Sequence, residues 1–170
     1  PDVVHKTEAS GVELDVDPGD AADAYEAVVA GAREFDPDAT IDGALVSPMV
    51  DDGIELIVGV TRDREIGPVL MVGLGGVLTE VLEDVSVRSL PVTEYDAREM
   101  LSELTASDVL DGVRGAEGVD REALVSLLRS VSDLVAANPE IASLDLNPVI
   151  ARPDGLDIVD ASIHLEAPER

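Results

Sequence analysis

The sequence predicts an α+β (mixed α/β) fold, because apolar segments of helical and of strand character follow one another without strict alternation. After Asp120, apolar residues keep a 3–1–3–3–1 spacing that predicts an amphipathic helix, and Asn138-Pro139 ends it. Continuous apolar segments at 54–60 and 68–73 predict buried strands. Hydrophobic residues make up 45% of the 170 residues and aromatic residues only 2%, so Val, Leu, Ile and Ala must build the core of about one domain.

The N-terminal part is predicted to hold one helix and four strands. The turn residues Pro18-Gly19-Asp20 precede an apolar pattern that predicts a helix over Ala21–Glu34. Asp51-Asp52-Gly53 lies between two apolar segments and indicates a hairpin. The predicted strands are Gly11–Val16, Asp42–Val50, Ile54–Val60 and Pro68–Gly73.

The C-terminal part is predicted to hold two capped helices and a final hairpin. Thr93 caps a helix that runs to about Leu104, with Asp96 at the capping-box position. The helix after Asp120 buries a stripe formed by Leu124, Leu127, Leu128, Val131, Leu134 and Val135. The two closing strands are Ala142–Ala151 and Leu156–Leu165.

Net charge excludes several classes of protein. Eleven Lys and Arg face thirty-seven Asp and Glu, which gives a net charge of −26 and a pI near 4.1. This charge excludes nucleic-acid binding through a basic face and disfavours anionic membranes. The absence of cysteine excludes disulfides and thiolate chemistry, and no leader pattern is present, so a cytoplasmic location is expected. Lys6 is the single lysine among the eleven basic residues. We interpret the acidic composition as adaptation to high salt. The alternative is an acidic domain that binds a basic partner.

The final hairpin carries the most informative polar residues. Period-two alternation places Leu144 and Leu146 on one face of the strand and Asp145 and Asn147 on the other. A turn centred between Pro153 and Asp154 pairs residues whose numbers sum to 307, which would bring Asn147 and Asp160 about 5 Å apart at Cβ. Oxygen ligands that converge in this way suit Mg²⁺. A solvated hairpin face is the alternative interpretation.

Other polar signals are weaker. Gly75 and Gly76, in the segment 73–76, suit either a phosphate cradle or a tight turn. Glu55 and Arg88 stand in apolar segments, which fits either an inward polar site or exposure at a strand edge. His5 and His164, near the two ends of the sequence, have the position of solvated bystanders.

Seven segments in order resemble the ATP-grasp part of ADP-forming acyl-CoA synthetases, also called ADP-forming acetate–CoA ligases. The resemblance covers nearly the whole chain, 1–170, as one ATP-grasp domain. The segments are residues 1–8 (PDVVHKTE), 55–60 (ELIVGV), 67–76 (GPVLMVGLGG), 80–85 (EVLEDV), 88–91 (RSLP), 112–115 (GVRG) and 145–148 (DLNP).

The resemblance implies the reaction acyl-CoA + ADP + phosphate ⇌ acid + CoA + ATP, which passes through phosphohistidine. It implies ATP or ADP and Mg²⁺ as ligands, and a CoA-ligase subunit or domain as partner, in an oligomer. His5 resembles the phosphohistidine and Arg88 the cation that stabilises the moving phosphoryl group. By the same resemblance Asp145, Asn147 and Asp160 hold the metal, while Glu55, Gly75 and Gly76 lie near the nucleotide.

The resemblance also implies departures and leaves alternatives open. ATP-grasp domains carry a lysine on a strand upstream of the His-Lys motif, so we expect this chain to be N-terminally truncated, without its first strand or strands and that lysine. A halophilic archaeon is the expected source. A non-catalytic ATP-grasp-like module that regulates or scaffolds a partner, and an unrelated acidic binding domain, are the alternatives.

Overall fold

The computed structural model describes residues 11–76, 84–113, 115 and 117–166. The chain falls into two compact units, Pro1–Met49 and Val50–Arg170. The α+β class predicted from the sequence is confirmed by the helices and the antiparallel sheet of the second unit. The expectation of one domain over 1–170 stays a prediction.

The first unit contains helix α1 (Ala21–Phe35), which confirms the predicted helix to within one residue. The two strands predicted on either side of it are wrong: Gly11–Val16 and Asp42–Val50 have no strand conformation. Asp15 takes a positive φ of 54°, which breaks an extended segment. In the second segment Pro48 lacks a backbone donor, and no strand within the described residues pairs with either segment.

The second unit is built on a six-stranded antiparallel sheet. In the order β3-β2-β1-β4-β5, neighbouring strands are hydrogen-bonded, and β6 also pairs with β4. The strands are β1 (Ile54–Asp63), β2 (Gly67–Leu74), β3 (Val85–Ser89), β4 (Ile141–Arg152), β5 (Gly155–Ile158) and β6 (Ala161–Leu165).

The first hairpin of the sheet lies later in the chain than predicted. It joins β1 to β2, and Asp63 Oδ1 accepts hydrogen bonds from Glu65 N (2.8 Å) and Ile66 N (3.0 Å) in the turn. The hairpin predicted at Asp51-Asp52-Gly53 is therefore wrong. Gly53 is needed for a different reason, since a Cβ there would lie 2.7 Å from Ala151 O.

Two helices cover one face of this sheet, which we call the helix face. They are α2 (Glu94–Glu103) and α3 (Arg121–Ala137), with a 3₁₀ turn at Ser107–Val109 between them. Their apolar residues bury the alternate strand residues of the central strands in a single core. The strand side of that core is Leu56, Val58, Val60, Leu70, Val72, Leu74, Ile141, Leu144, Leu146, Val149 and Ala151.

Both predicted helix caps are confirmed. Thr93 Oγ1 accepts from Asp96 N (3.2 Å) and Asp96 Oδ2 accepts from Thr93 N (2.9 Å), which completes the capping box of α2. Asp120 Oδ1 accepts from Ala123 N (2.9 Å) at the start of α3. The α2 boundary at Leu104 is also as predicted.

The buried stripe of α3 is rotated slightly from the predicted one. Leu124, Leu128, Val131 and Val135 are buried as expected, whereas Leu134 remains 42% exposed. Ser132 is fully buried instead, because its Oγ accepts a hydrogen bond from Val92 N (2.9 Å). A polar residue therefore belongs to the packed face, and apolar spacing alone does not predict it.

The C-terminal register is confirmed, but the last predicted strand is split in two. Arg152 pairs with Gly155, Leu146 pairs with Ala161, and the residue numbers of each pair sum to 307. The predicted strand Leu156–Leu165 becomes β5 and β6, which leaves residues 159 and 160 between them.

In the part of the chain that the structure describes, none of the helices has the length and apolar character that a bilayer crossing requires.

Candidate nucleotide and metal site

The sheet face that points away from α2 and α3, here called the opposite face, carries the residues predicted to hold a metal. On β4, Asp145 is exposed while its neighbours Leu144 and Leu146 are buried on the helix face. Asp145 pairs directly with Gly59 on β1 and with Ser162 on β6. Cross-strand partners share a face, so these three residues meet on the opposite face.

Asn147 and Asp160 are brought together as the sequence predicts. Asn147 N donates a hydrogen bond to Asp160 O (3.1 Å), and both side chains are exposed. Asp160 lies at the break between β5 and β6. The pairing of β1 with β4 shifts register between Leu56 and Val58, whose partners on β4 are Val149 and Leu146. Asn147 and Asp160 therefore lie where the regular pairing of the sheet is interrupted.

The donor set fits Mg²⁺. Asp145 and Asp160 supply carboxylates and Asn147 an amide oxygen, and Mg²⁺ takes one or two carboxylates and completes its shell with water and phosphate. Among the described residues no group of three or more His, Cys, Asp or Glu forms a metal cage. A metal held by these residues would take the rest of its shell from water and phosphate, as Mg²⁺ does in nucleotide sites.

Glu55, Gly75 and Gly76 also come together. Gly75 N donates to Glu55 O (2.7 Å), and a Cβ on Gly75 would lie 3.0 Å from Glu55 Cβ. Gly76 has a φ of +69°, and a Cβ there would lie 3.1 Å from Glu55 Oε2. Both glycines are thus required where the chain leaves β2 and passes Glu55, which lies on the opposite face of β1.

Arg88 lies on the other side of the sheet. It pairs with Leu70, which is fully buried on the helix face, and its Nη2 contacts Glu103 Oε1 of α2 at 2.5 Å. Ser86 Oγ donates to the other oxygen of Glu103 (2.7 Å). The structure therefore does not bring Arg88 together with Asp145, and it gives Arg88 a contact that holds α2 on β3.

The Arg88–Glu103 pair shifts the pKa of both groups. The hydrogen bond to Glu103 raises the pKa of the Arg88 guanidinium. The hydrogen bond from Arg88, and then the one from Ser86, lower the pKa of the Glu103 carboxyl. Both groups are charged at neutral pH, so the pair is a permanent ion pair.

The two histidines lie near opposite ends of the sequence. His5 lies outside the described residues. His164 pairs with Ser143 on β4 and is exposed on the opposite face, with Nε2 at 3.5 Å from Ser162 Oγ. His164 is therefore on the same face as Asp145, two residues from its partner Ser162.

Two neighbours of the site are not among the predicted residues. Ser162 follows from the register of the final hairpin, which pairs it with Asp145, so sequence reasoning had the signal for it. Gly59 becomes a neighbour only through the pairing of β1 with β4, about ninety residues apart, for which the sequence holds no local signal.

A concavity of about 470 Å³ lies elsewhere in the second unit, at the start of β1 and the end of β4. Asp51, Asp52, Glu117 and Asp154 line it, together with Arg152, which is paired with Asp157 (2.6 Å). Four carboxylates around one paired arginine disfavour an anionic ligand. This concavity is a poor site for a nucleotide.

Comparison with known proteins identifies relatives along the whole chain. A family model described as an ATP-grasp domain matches residues 1–165. The beta subunit of the ADP-forming acetate–CoA ligase I of Pyrococcus furiosus is 39% identical over 166 residues, which is 97% of this chain and 72% of that subunit. The ADP-forming acetate–CoA ligase I of Archaeoglobus fulgidus is 44% identical over 160 residues. That match covers 94% of this chain, which spans 23% of the ligase.

Solved structures give the same result. The dinucleotide-forming acetyl-coenzyme A synthetase 1 of Candidatus Korarchaeum cryptofilum, in complex with coenzyme A and Ca-AMPCP, has a TM-score of 0.88 at 40% identity. The match covers 98% of this chain and 73% of that one. The same synthetase in complex with Mg-AMPPCP, its phosphohistidine segment pointing towards the nucleotide binding site, has a TM-score of 0.80 at 38% identity. That match covers 98% of this chain and 73% of the other.

Proposed function

Because the chain belongs to the ATP-grasp family and is homologous to the nucleotide-binding part of ADP-forming acetate–CoA ligases, we propose that it transfers a phosphoryl group between phosphohistidine and ADP. In the forward step the N–P bond of phosphohistidine breaks and an O–P bond to the terminal phosphate of ADP forms, giving ATP and free histidine. The overall reaction is acyl-CoA + ADP + phosphate ⇌ acid + CoA + ATP, completed by a CoA-ligase subunit or domain. The assembly is an oligomer of these parts.

The observation that carries the proposal is the juxtaposition of Asn147 and Asp160 beside Asp145 on the opposite face. These three residues would hold Mg²⁺ through their side-chain oxygens. The bound ion supplies charge neutralisation at the phosphates. Phosphoryl transfer depends mainly on such positioning and electrostatic stabilisation, so a site of this kind meets the main requirement of the reaction.

Glu55, Gly75 and Gly76 would lie along the nucleotide. The backbone after β2 has no side chains at residues 75 and 76, so a nucleotide could pass close to this turn. The N–H of Gly75 is already bonded to Glu55 O, which fixes the position of this turn relative to β1. The turn and Glu55 thus form a preorganised edge of the nucleotide site.

His5 is proposed as the residue that carries the phosphoryl group on this chain. Imidazole is neutral near pH 7 and nucleophilic, and its phosphoramidate releases the phosphoryl group readily. The Korarchaeum synthetase, whose described complex has a phosphohistidine segment pointing towards the nucleotide, supports this role. The role of Arg88 at the phosphoryl group stays a prediction, and its pairing with Glu103 on the helix face does not support it.

The alternative of a non-catalytic module is not favoured, since the three candidate metal ligands lie together in the fold. Salt adaptation is part of the proposal: the charge of −26 favours a protein that works at high ionic strength, as in a halophilic archaeon.

Mg²⁺-dependent binding of ADP, measured by titration calorimetry on the full polypeptide that carries this sequence, tests the proposal. Asn147→Ala and Asp160→Ala are each expected to weaken Mg-ADP binding by about tenfold or more, since each removes an oxygen ligand. Asp154→Ala is the matched control, because it removes a carboxylate from the turn of the same hairpin, where the side chain is 83% exposed. Equal loss in all three variants, or no binding by the wild type, would contradict the proposal.

A further inference from the structure

Gly59 occupies the centre of β1, between Asp145 on β4 and Met71 on β2. It lies on the opposite face, directly beside a candidate metal ligand. Glycine in the interior of a strand weakens the strand, and it often marks a place where a ligand approaches closely. The reason for a glycine at this position therefore bears on the site.

The other glycines within the strands of the sheet have structural reasons. Gly67 and Gly155 take φ values of +83° and +140°, which side chains rarely allow. A Cβ on Gly73 would lie 2.8 Å from Val85 Cγ1 and 3.0 Å from Asp84 O. Each of these three glycines is required by the backbone or by its packing.

Neither a positive φ nor a lack of space for a side chain requires glycine at position 59. Its φ lies outside the left-handed region, and a Cβ there would meet Met71 Cε at 3.5 Å, Leu144 O at 3.7 Å and Asp145 Oδ1 at 3.9 Å. These are ordinary van der Waals distances, although the backbone of Gly59 is itself buried. The packing of the described residues therefore accepts a methyl group at position 59, and strand propensity favours one.

The nearest carboxylate oxygen to that methyl group would be Oδ1 of Asp145. An apolar group in contact with a carboxylate oxygen removes water from it and closes one direction of approach. A hydrated divalent cation with a diphosphate is bulky, since its shell is completed by water and phosphate oxygens, so it would bind less well to an oxygen that is partly covered.

We propose that Gly59 is a positioning residue of the nucleotide site, which keeps Oδ1 of Asp145 accessible to a divalent cation that carries a nucleoside diphosphate. This inference rests on the proposed function. It adds a steric requirement from β1 to the ligands on β4 and β5–β6, and it explains why the central strand keeps a destabilising residue at this point.

The first test compares Gly59→Ala with the wild type in the full polypeptide. The melting midpoint without nucleotide is expected to be equal or higher, while Mg-ADP binding by calorimetry is expected to weaken about tenfold. Gly19→Ala is the matched control, because a Cβ on Gly19 would meet no atom within 4 Å and its φ lies outside the left-handed region. It should change neither quantity.

The second test uses the wild type and so does not depend on folding of a variant. Mn²⁺-ADP is added to protein labelled with ¹⁵N-glycine, and paramagnetic broadening of the glycine amides is measured. Gly59 is expected to broaden strongly and Gly155 weakly, since their partners on β4 lie seven residues apart, roughly 23 Å along the strand.

The outcomes separate this inference from the proposed function. Absence of Mg-ADP binding by the wild type would overturn both. Wild-type binding with unchanged affinity in Gly59→Ala would overturn the role of Gly59 alone. A clearly lower melting midpoint for Gly59→Ala would show that the glycine serves packing. Broadening of Gly59 no greater than that of Gly155 would show that the metal does not bind beside it. Either result would also overturn the role of Gly59.

Discussion

Asp84 is a buried carboxylate, and the free energy of unfolding that is lost on its removal follows from its hydrogen bonds. It lies just before β3, and its two oxygens accept hydrogen bonds from Thr105 N (2.7 Å) and Ala106 N (2.9 Å). These bonds tie the segment after α2 to the start of β3. Asp84→Ala would leave both backbone donors without this acceptor.

The expected loss follows from the two bonds. A hydrogen bond to a charged group contributes about 1.5–3 kcal/mol, and part of this is recovered when water reaches the partly buried donors. We therefore expect Asp84→Ala to lower the free energy of unfolding by about 2–4 kcal/mol. Asp84→Asn keeps the shape and one acceptor oxygen, so about half that loss is expected.

The pH dependence gives a second readout. Burial raises the pKa of Asp84, but the hydrogen bonds from Ala106 and Thr105 outweigh it and hold the pKa below its ordinary value. A carboxyl with a depressed folded pKa contributes stability above its unfolded pKa, and this is lost as pH falls through the folded pKa. The difference between wild type and Asp84→Ala should therefore be constant near neutral pH and shrink below about pH 4.

Urea denaturation followed by circular dichroism, in about 1 M salt to screen the surface charge, measures these differences. Asp154→Ala, in an exposed turn, is the control and should change stability by less than about 0.5 kcal/mol. A loss below about 0.5 kcal/mol for Asp84→Ala, or a difference that grows towards acid pH, would refute this reasoning.

Three further predictions concern the ion pair, the surface charge and the phosphoryl carrier. Arg88→Ala and Glu103→Gln should lower the melting midpoint by similar amounts, and the double variant should lower it little further. Loss of phosphoryl transfer in Arg88→Ala alone would instead place Arg88 at the reaction. Raising ionic strength from about 0.1 M to about 1 M shortens the Debye length from about 10 Å to about 3 Å. Because this screens the repulsion between the acidic side chains, the melting midpoint should rise. An unchanged or lower midpoint would contradict salt adaptation. The full enzyme, given labelled ATP and Mg²⁺, should carry acid-labile, base-stable phosphate on a peptide with His5. His5→Ala should lose this label and His164→Ala should keep it, and label retained in His5→Ala would remove His5 from the mechanism.

The final hairpin shows how far sequence reasoning reaches. Its two halves are adjacent in the chain, so the turn at Pro153-Asp154 and the alternation around Leu144 and Leu146 determine the register. That register correctly joins Asn147 to Asp160. The caps at Thr93 and Asp120 are local in the same way, and both are confirmed.

Features that depend on distant parts of the chain were not predictable. The alternation in Gly11–Val16 and the apolar content of Asp42–Val50 suggest strands, yet a strand needs a partner to satisfy its backbone. The face on which Arg88 lies follows from its pairing with Leu70, and Gly59 meets Asp145 through the pairing of β1 with β4. No local pattern encodes these pairings, so the placement of Arg88 and of Gly59 relative to the candidate metal ligands had to come from the structure.

Asn147 and Asp160 are proposed to hold the metal of a nucleotide on the sheet face opposite α2 and α3. A crystal structure of the full polypeptide with Mn²⁺ and ADP tests it most directly, because anomalous scattering locates the metal independently of the protein map. We expect a metal about 2.0–2.3 Å from side-chain oxygens of Asn147 and Asp160, with ADP phosphate completing its shell. A metal and nucleotide bound elsewhere, for example in the concavity at Asp51 and Asp154 or on the helix face beside Arg88, would contradict it.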